Sequence, residues 1–126
     1  MSAGRYFYDS YAVLAYASVR ETYKKYFEER DGVLTKLNIS GGLYRTLEQY
    51  DLRAAQEILR SFNKYNVDYD QEDISASMKL RLDLKRKSFD ISYVDALGYY
   101  LSQKMWMKFL TGDKAFRVLK VVKYVV

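Results

Sequence analysis

Three aspartates in this sequence stand where apolar runs end or a helix begins, and carboxylates at such places can do chemistry. Asp9 follows the aromatic run RYFY, Asp95 lies near the start of a helical segment, and Asp113 follows the apolar run that ends in FLTG. In a parallel sheet, the carboxyl ends of the strands and the N-termini of the helices that leave them share one edge. The three carboxylates are therefore expected to converge.

Converging carboxylates need a cation, because like charges that lie close together raise one another's pKa. The sequence contains no histidine and no cysteine, which excludes imidazole and thiolate ligands as well as histidine bases and cysteine nucleophiles. Oxygen ligands favour hard cations such as Mg²⁺ or Mn²⁺. A carboxylate-bound metal suits phosphodiester hydrolysis, because it activates water and neutralises charge that develops on the phosphate oxygens.

Each aspartate also has a structural interpretation, which the sequence leaves open. Asp9 could cap the helix that follows it, Asp95 could complete a capping box with Ser92, and Asp113 could stabilise the turn at Gly112. Taken one at a time, these interpretations are the simpler ones. The chemical interpretation requires all three acids to arrive at the same edge of the sheet.

The elements that would position these acids alternate between strand and helix. Apolar and aromatic runs predict strands, and apolar positions at helical spacing predict helices. The predicted strands cover residues 4–9, 33–40, 66–70, 107–111 and 118–126, and the predicted helices cover residues 10–29, 42–49, 51–62, 71–87 and 92–106. This order predicts an α/β fold with a mostly parallel sheet and helices on both of its faces.

The composition is that of one globular domain over residues 1–126. Hydrophobic residues make up 49% of the chain and charged residues 29%, and the net charge of +5 favours an anionic partner such as nucleic acid. The N-terminal stretch lacks the layout of a signal peptide, because Asp9 interrupts its apolar run. No segment reaches the roughly 20 apolar residues needed to cross a bilayer. We therefore expect a cytoplasmic protein without a membrane partner.

Four segments together resemble a protein family. The stretches YFYDSYAVLAY, LNISGGLYRTL, SYVDALGYYLSQK and FLTGDKAF, in this order along the chain, resemble a PIN domain of the VapC toxin type. The resemblance implies a three-layer α/β/α sandwich and a ribonuclease that depends on Mg²⁺ or Mn²⁺. It also implies a homodimer that acts as the toxin of a toxin-antitoxin system and is neutralised by a small VapB-like antitoxin.

The resemblance assigns roles to individual residues of this chain. Asp9, Asp95 and Asp113 match the acids that bind the metal and carry out catalysis in the family. Ser10 and Thr111 match neighbouring hydroxyl positions that commonly support the site. These five residues form the predicted site.

The chain departs from the family pattern at Gly41 and Gly42. The family usually carries a glutamate there, before the Leu-Tyr pair of the helix after the second strand. Glu48 cannot replace it without rearrangement, because six or seven residues of helix place it roughly 9 to 10 Å further along the axis. Two interpretations remain: a ribonuclease with three acids, or an impaired PIN domain that serves as an RNA- or protein-binding module.

Basic and aromatic residues near the predicted site are candidates for RNA contact. Lys114 and Arg117 follow Asp113, and Tyr11 lies close to Asp9. Phosphate contacts by such cations are salt-sensitive, and unpaired bases stack on aromatic rings. The basic residues of the helix at 71–87 are interpreted instead as a solvated face. A third function, an α/β regulator that accepts a phosphoryl group, is disfavoured because the chain has no Walker-type glycine-rich loop.

Overall fold

Four short parallel strands form the centre of the fold. The structure is a computed structural model and describes residues 5–126. The strands are β1 (Arg5–Tyr8), β2 (Asp31–Val33), β3 (Lys108–Thr111) and β4 (Val122–Tyr124), in the order β2-β1-β3-β4. Every neighbouring pair is parallel, so the carboxyl ends of all four strands lie at one edge of the sheet. Gly4, which the first predicted strand included, lies outside the described residues.

Six α-helices and two short 3-10 helices connect and cover these strands. The α-helices are α1 (Ser10–Ala17), α2 (Glu21–Glu28), α3 (Lys36–Leu47), α4 (Leu52–Arg60), α5 (Gln71–Arg86) and α6 (Tyr93–Lys104). The 3-10 helices cover Ser61–Tyr65 and Lys114–Phe116. No helix within residues 5–126 is both long enough and apolar enough to span a membrane.

The sheet separates two apolar layers because successive side chains of a strand point to opposite faces. On one face, Tyr8 and Leu110 pack with buried residues of α1, α2 and α4. On the other face, Phe7 and Phe109 pack with residues of α6 and partly buried residues of α5. The predicted three-layer α/β/α sandwich with a parallel central sheet is therefore confirmed.

Helices α5 and α6 are joined at one end by a short ion pair. Asp73 is buried in the first turn of α5, where it exchanges capping hydrogen bonds with Asp70. The Lys104 ammonium, at the end of α6, donates to Asp73 at 2.7 Å. The two helices are therefore antiparallel, and the N-terminus of α6 lies at the carboxyl edge of the sheet.

The predicted strand over residues 33–40 is wrong for most of its length. Strand β2 ends at Val33, and α3 already begins at Lys36. The cause is a local cap: the backbone N–H and the hydroxyl of Thr35 both donate to the Asn38 side-chain oxygen at 2.9 Å. This cap turns the apolar segment that follows into the first turns of a helix.

Three other predicted elements are shorter or divided. The predicted helix over residues 10–29 is split into α1 and α2, because Val19 adopts a φ of 59° between them. The final strand is reduced to β4, and the predicted strand over 66–70 makes only an isolated bridge between Asn66 and Leu34. These differences leave the order of the central elements unchanged.

Candidate active site

Asp9 is held rigidly at the carboxyl end of β1. It is the N-cap of α1, and one carboxylate oxygen accepts the backbone N–H of Ser10 at 2.7 Å. The other oxygen accepts the hydroxyl of Thr111, at the end of β3, at 2.6 Å. Only 2% of Asp9 is exposed. Both oxygens are therefore fixed by groups from two neighbouring strand ends.

Asp95 reaches the same place from the N-terminus of α6. Ser92 is the N-cap of this helix and accepts the backbone N–H of Asp95 at 3.0 Å. The Asp95 and Asp9 carboxyl groups line one cavity and lie close enough together for each to shift the pKa of the other. Two acids that are 86 residues apart in sequence thus form one carboxyl pair, because the sheet edge and the helix start coincide.

Burial makes this carboxyl pair difficult to ionise. It raises the pKa of Asp9 well above its ordinary value, and the charge of Asp95 raises it further, against the lowering effect of the hydrogen bonds from Thr111 and Ser10. Burial also raises the pKa of Asp95, while the hydrogen bond from Asp9 opposes that shift. The pair therefore tends to retain a proton between its two carboxyl groups.

Asp113 lies beside this pair and is connected to it through Thr111. The Asp113 backbone N–H donates to the Thr111 hydroxyl oxygen at 3.0 Å, and its carboxylate caps the following 3-10 helix by accepting the N–H of Ala115 at 3.0 Å. Asp9, Asp95 and Asp113 line one cavity of about 380 Å³, which we call the acid cavity. The fold thus brings the three predicted acids to one cavity.

The donor atoms of the acid cavity are suited to a hard cation. Among residues 5–126, no three acidic side chains lie close enough together to hold a metal ion between them. Among residues 5–126, however, neither Asp9 nor Asp95 forms an ion pair with a lysine or arginine, and burial raises the pKa of both. Magnesium is commonly held by one or two carboxylates and completes its shell with water. The Asp9–Asp95 pair fits a cation of that kind.

The structure distinguishes the two glycines at the position where the family carries glutamate. Gly41 lines the acid cavity, and a Cβ there would lie 2.9 Å from the Ser10 hydroxyl oxygen. Gly42 is turned into the core, where a Cβ would lie 2.8 Å from a methyl carbon of Val13 and 3.8 Å from Leu59. The glycines therefore let α3 approach α1 closely, and position 41 is the one that faces the acids.

The remaining predicted residues fall into two groups. Ser10 and Tyr11 line the acid cavity, whereas Thr111 is completely buried beneath it. Lys114 and Arg117 are exposed on the surface after β3 and are not among the residues that line the cavity. Their contact with RNA stays a prediction.

Apart from the apolar Leu14, two residues that line the acid cavity were missed from the sequence. Tyr44 and Arg45 line the acid cavity together with Gly41. Positions three and four residues apart share one face of a helix, so their spacing from Gly41 was a usable signal. It was missed because residues 33–40 were assigned to a strand, which hid the helical register of α3.

The fold is shared with several solved structures, two of which are toxin-antitoxin or VapBC proteins. VapBC2 from Rickettsia felis, bound to a DNA fragment from its promoter, matches with a TM-score of 0.75 and 13% identity over 96% of this chain and 97% of the other. A toxin-antitoxin complex from Klebsiella pneumoniae matches with a TM-score of 0.69 and 17% identity over 93% and 94% of the two chains. PAE2754 from Pyrobaculum aerophilum matches with a TM-score of 0.68 and 17% identity over 100% and 91%.

These similarities lie in the fold. No family model matches the sequence, and no curated protein is similar enough in sequence to match. The three structural matches extend over nearly the full length of each chain. They confirm the PIN-like, VapC-like fold that the four sequence stretches predicted.

Proposed function

We propose that this chain, which has the fold of VapBC-type proteins, is a metal-dependent endoribonuclease that hydrolyses RNA phosphodiester bonds. The observation that carries the proposal is the carboxyl pair formed by the buried Asp9 and the half-buried Asp95 at the carboxyl edge of the sheet, open to a cavity that Asp113 also lines. A buried pair of like charges costs stability, so its presence in a cavity favours a functional role over a purely structural one.

Asp9 and Asp95 would hold the cation, and Asp113 would act from the margin of the same cavity. A bound Mg²⁺ or Mn²⁺ would supply an activated water and would offset charge on the phosphate. Thr111 and the Ser10 N–H orient the Asp9 carboxylate by donating one hydrogen bond to each of its oxygens. Thr111 also positions Asp113 by accepting its backbone N–H.

A second candidate is an impaired PIN domain that binds RNA or a protein without cutting RNA. The observation in its favour is Gly41, which places no carboxylate on the cavity-facing side of α3. The site then has one acid fewer than the family pattern. This loss weakens the attraction for a divalent cation.

The partners follow from the same proposal. The matches to a toxin-antitoxin complex and to VapBC2 support a small VapB-like antitoxin as the binding partner. We extend the proposal to a homodimer located in the cytoplasm, with RNA as substrate. Co-expression with a candidate VapB-like antitoxin and measurement of the mass of the complex would test this part.

The experiment that tests the function is cleavage of a panel of structured RNAs in Mg²⁺ or Mn²⁺. The unmodified chain is compared with Asp95→Asn, with Gly41→Glu and with Gly41→Gln, which has nearly the same shape as the glutamate but no charge. Cleavage that is lost in chelator and in Asp95→Asn supports the ribonuclease. Cleavage by Gly41→Glu alone supports the impaired domain, and absence of cleavage in every variant overturns the nuclease proposal.

A further inference from the structure

A second cavity adjoins the acid cavity and is lined by two arginines. This arginine cavity, of about 230 Å³, is formed by the end of α1, the start of α2 and the end of α3, and Arg20 and Arg45 line it. Tyr11, Leu14 and Arg45 line both cavities. The two cavities therefore lie side by side, and together we call them the cleft.

Arg20 is already oriented toward this cleft. One of its guanidinium nitrogens donates to the Tyr11 hydroxyl at 2.8 Å, and the guanidinium lies 5.6 Å from the centre of the Tyr11 ring. Tyr11 in turn packs over Gly112, where any Cβ would overlap the ring and lie 2.6 Å from the Val125 carbonyl oxygen. Because one hydrogen bond uses only part of the guanidinium fork, Arg20 retains donors for a ligand.

Arg45 faces the cleft because it lies one helical turn beyond Gly41 on α3. It is exposed, and among residues 5–126 no acidic side chain lies within ion-pair distance of Arg45 or Arg20. Glu48 is the single acid that lines the arginine cavity. The charges of the two arginines therefore exceed that of the acid and leave this cavity positive.

We propose that Arg20 and Arg45 form a subsite for an RNA backbone phosphate, adjacent to the phosphate that the acid cavity would receive. This subsite rests on the proposed function, because its ligand is the RNA that the proposed function supplies. Planar guanidinium groups bind phosphate oxygens bidentately, which suits a fixed position along a backbone. Neither arginine belongs to the acid cluster, so their role is to position RNA.

The ring of Tyr44 favours RNA over an acidic polypeptide as the occupant. It is 70% exposed and lines the acid cavity on the same face of α3 as Arg45. Aromatic rings beside a basic groove are stacking platforms for unpaired bases. An acidic peptide would use the arginines and leave the ring without a function.

The test measures the binding of a fluorescein-labelled single-stranded RNA of about ten nucleotides by anisotropy, in chelator so that binding is separated from metal-dependent cleavage. Arg20→Gln and Arg45→Gln are each expected to weaken binding about tenfold at low salt, because each substitution removes a charge-assisted hydrogen bond. Each should also reduce the slope of log affinity against log salt by about 0.7 per lost phosphate contact. Arg45→Lys should recover most of the affinity.

Arg30→Gln is the matched control. Arg30 is exposed and precedes β2, at the opposite edge of the sheet from the cleft. The substitution Arg30→Gln therefore removes the same charge at a place remote from the cleft. Its binding should stay within about twofold of the unmodified chain, as expected for a remote charge. Equal effects of Arg30→Gln and Arg45→Gln would overturn the subsite, because they would show that net charge alone controls binding.

Two further outcomes separate this subsite from the nuclease proposal. RNA that binds through both arginines and is never cut in Mg²⁺ or Mn²⁺ supports the subsite and refutes the nuclease. RNA that is cut equally well by the unmodified chain and by both glutamine variants supports the nuclease and refutes the subsite. An acidic oligopeptide that binds more tightly than RNA, and loses affinity in the same variants, would refute RNA as the ligand.

Discussion

In the absence of metal, the stability of this protein should fall as the pH rises above about 5, and Asp9→Asn should remove most of that fall. In the unfolded chain an aspartate ionises near about pH 4. In the folded chain burial, followed by the charge of Asp95, raises the pKa of Asp9. At a pH between the pKa of the unfolded chain and the raised pKa of the folded chain, the folded state holds a proton that the unfolded state has released.

The sign and size of the effect follow from this difference in bound protons. Stability decreases with pH wherever the folded state binds more protons than the unfolded state. One retained proton gives a slope of about 1.4 kcal/mol per pH unit. The contribution is fully present below the unfolded pKa and is lost as the pH rises toward the raised pKa of the folded carboxyl pair.

The composition makes this measurement unusually clear. The chain has no histidine and no cysteine, so the ordinary groups that titrate in this range are missing. Asp73 and Asp83 have lowered pKa values because each is hydrogen-bonded to a lysine. Their stabilising contributions are lost only as the pH falls below about 4, outside the window. The carboxyl pair should therefore dominate the slope.

The assay is urea unfolding followed by circular dichroism, at half-unit steps of pH and in chelator. Asp68→Asn is the control, because Asp68 is exposed and its replacement removes the same charge away from the pair. Mg²⁺ should flatten the slope for the unmodified chain, because a cation that binds the ionised pair displaces its proton and therefore stabilises the folded state more as the pH rises. A flat profile without metal, or an equal slope in Asp9→Asn, would refute the interpretation of the pair.

Three further substitutions test the packing around the site. Gly42→Glu should unfold the protein or cost several kcal/mol in urea unfolding, because it places a charge in the apolar core; normal stability would contradict the assignment of Gly42 to the core. Lys104→Met should shift acid unfolding to higher pH, because it removes the lysine whose hydrogen bond lowers the pKa of Asp73; an unchanged acid midpoint would argue against the ion pair. Tyr8→Phe should lower the free energy of unfolding by about 1 to 2 kcal/mol, since its buried hydroxyl donates to the Tyr26 carbonyl at 2.7 Å, and a neutral result would mean that this bond contributes nothing.

Local signals in the sequence were sufficient to place most helices. Asp51 caps α4 by accepting the N–H of Ala54 at 2.8 Å, and Ser92 caps α6 by accepting the N–H of Asp95. Both caps are encoded within one turn of the chain, so no tertiary information is needed to find them. The alternation of strands and helices predicted the layers for the same reason, because the periodicity of apolar residues is itself local.

The course of α3 could not be read from the sequence in the same way. Its first residues, LNIS, have the composition of a strand, and the segment becomes helical through the Thr35–Asn38 cap. Two glycines then allow this helix to lie against α1. Gly41 faces the acids and Gly42 faces the core. Which side each glycine takes depends on the rotation of α3 about its axis.

The residue types and their order establish which groups are available for chemistry: carboxylates without histidine or cysteine, placed at strand ends and a helix start. How these groups interact depends on the packing of the elements that carry them. The fold pairs Asp9 with Asp95. It also places this pair and the two arginines, Arg20 and Arg45, along one cleft, although these residues are far apart in the chain. Burial sets the protonation of a carboxyl group, and burial is a property of packed elements that a linear pattern does not contain.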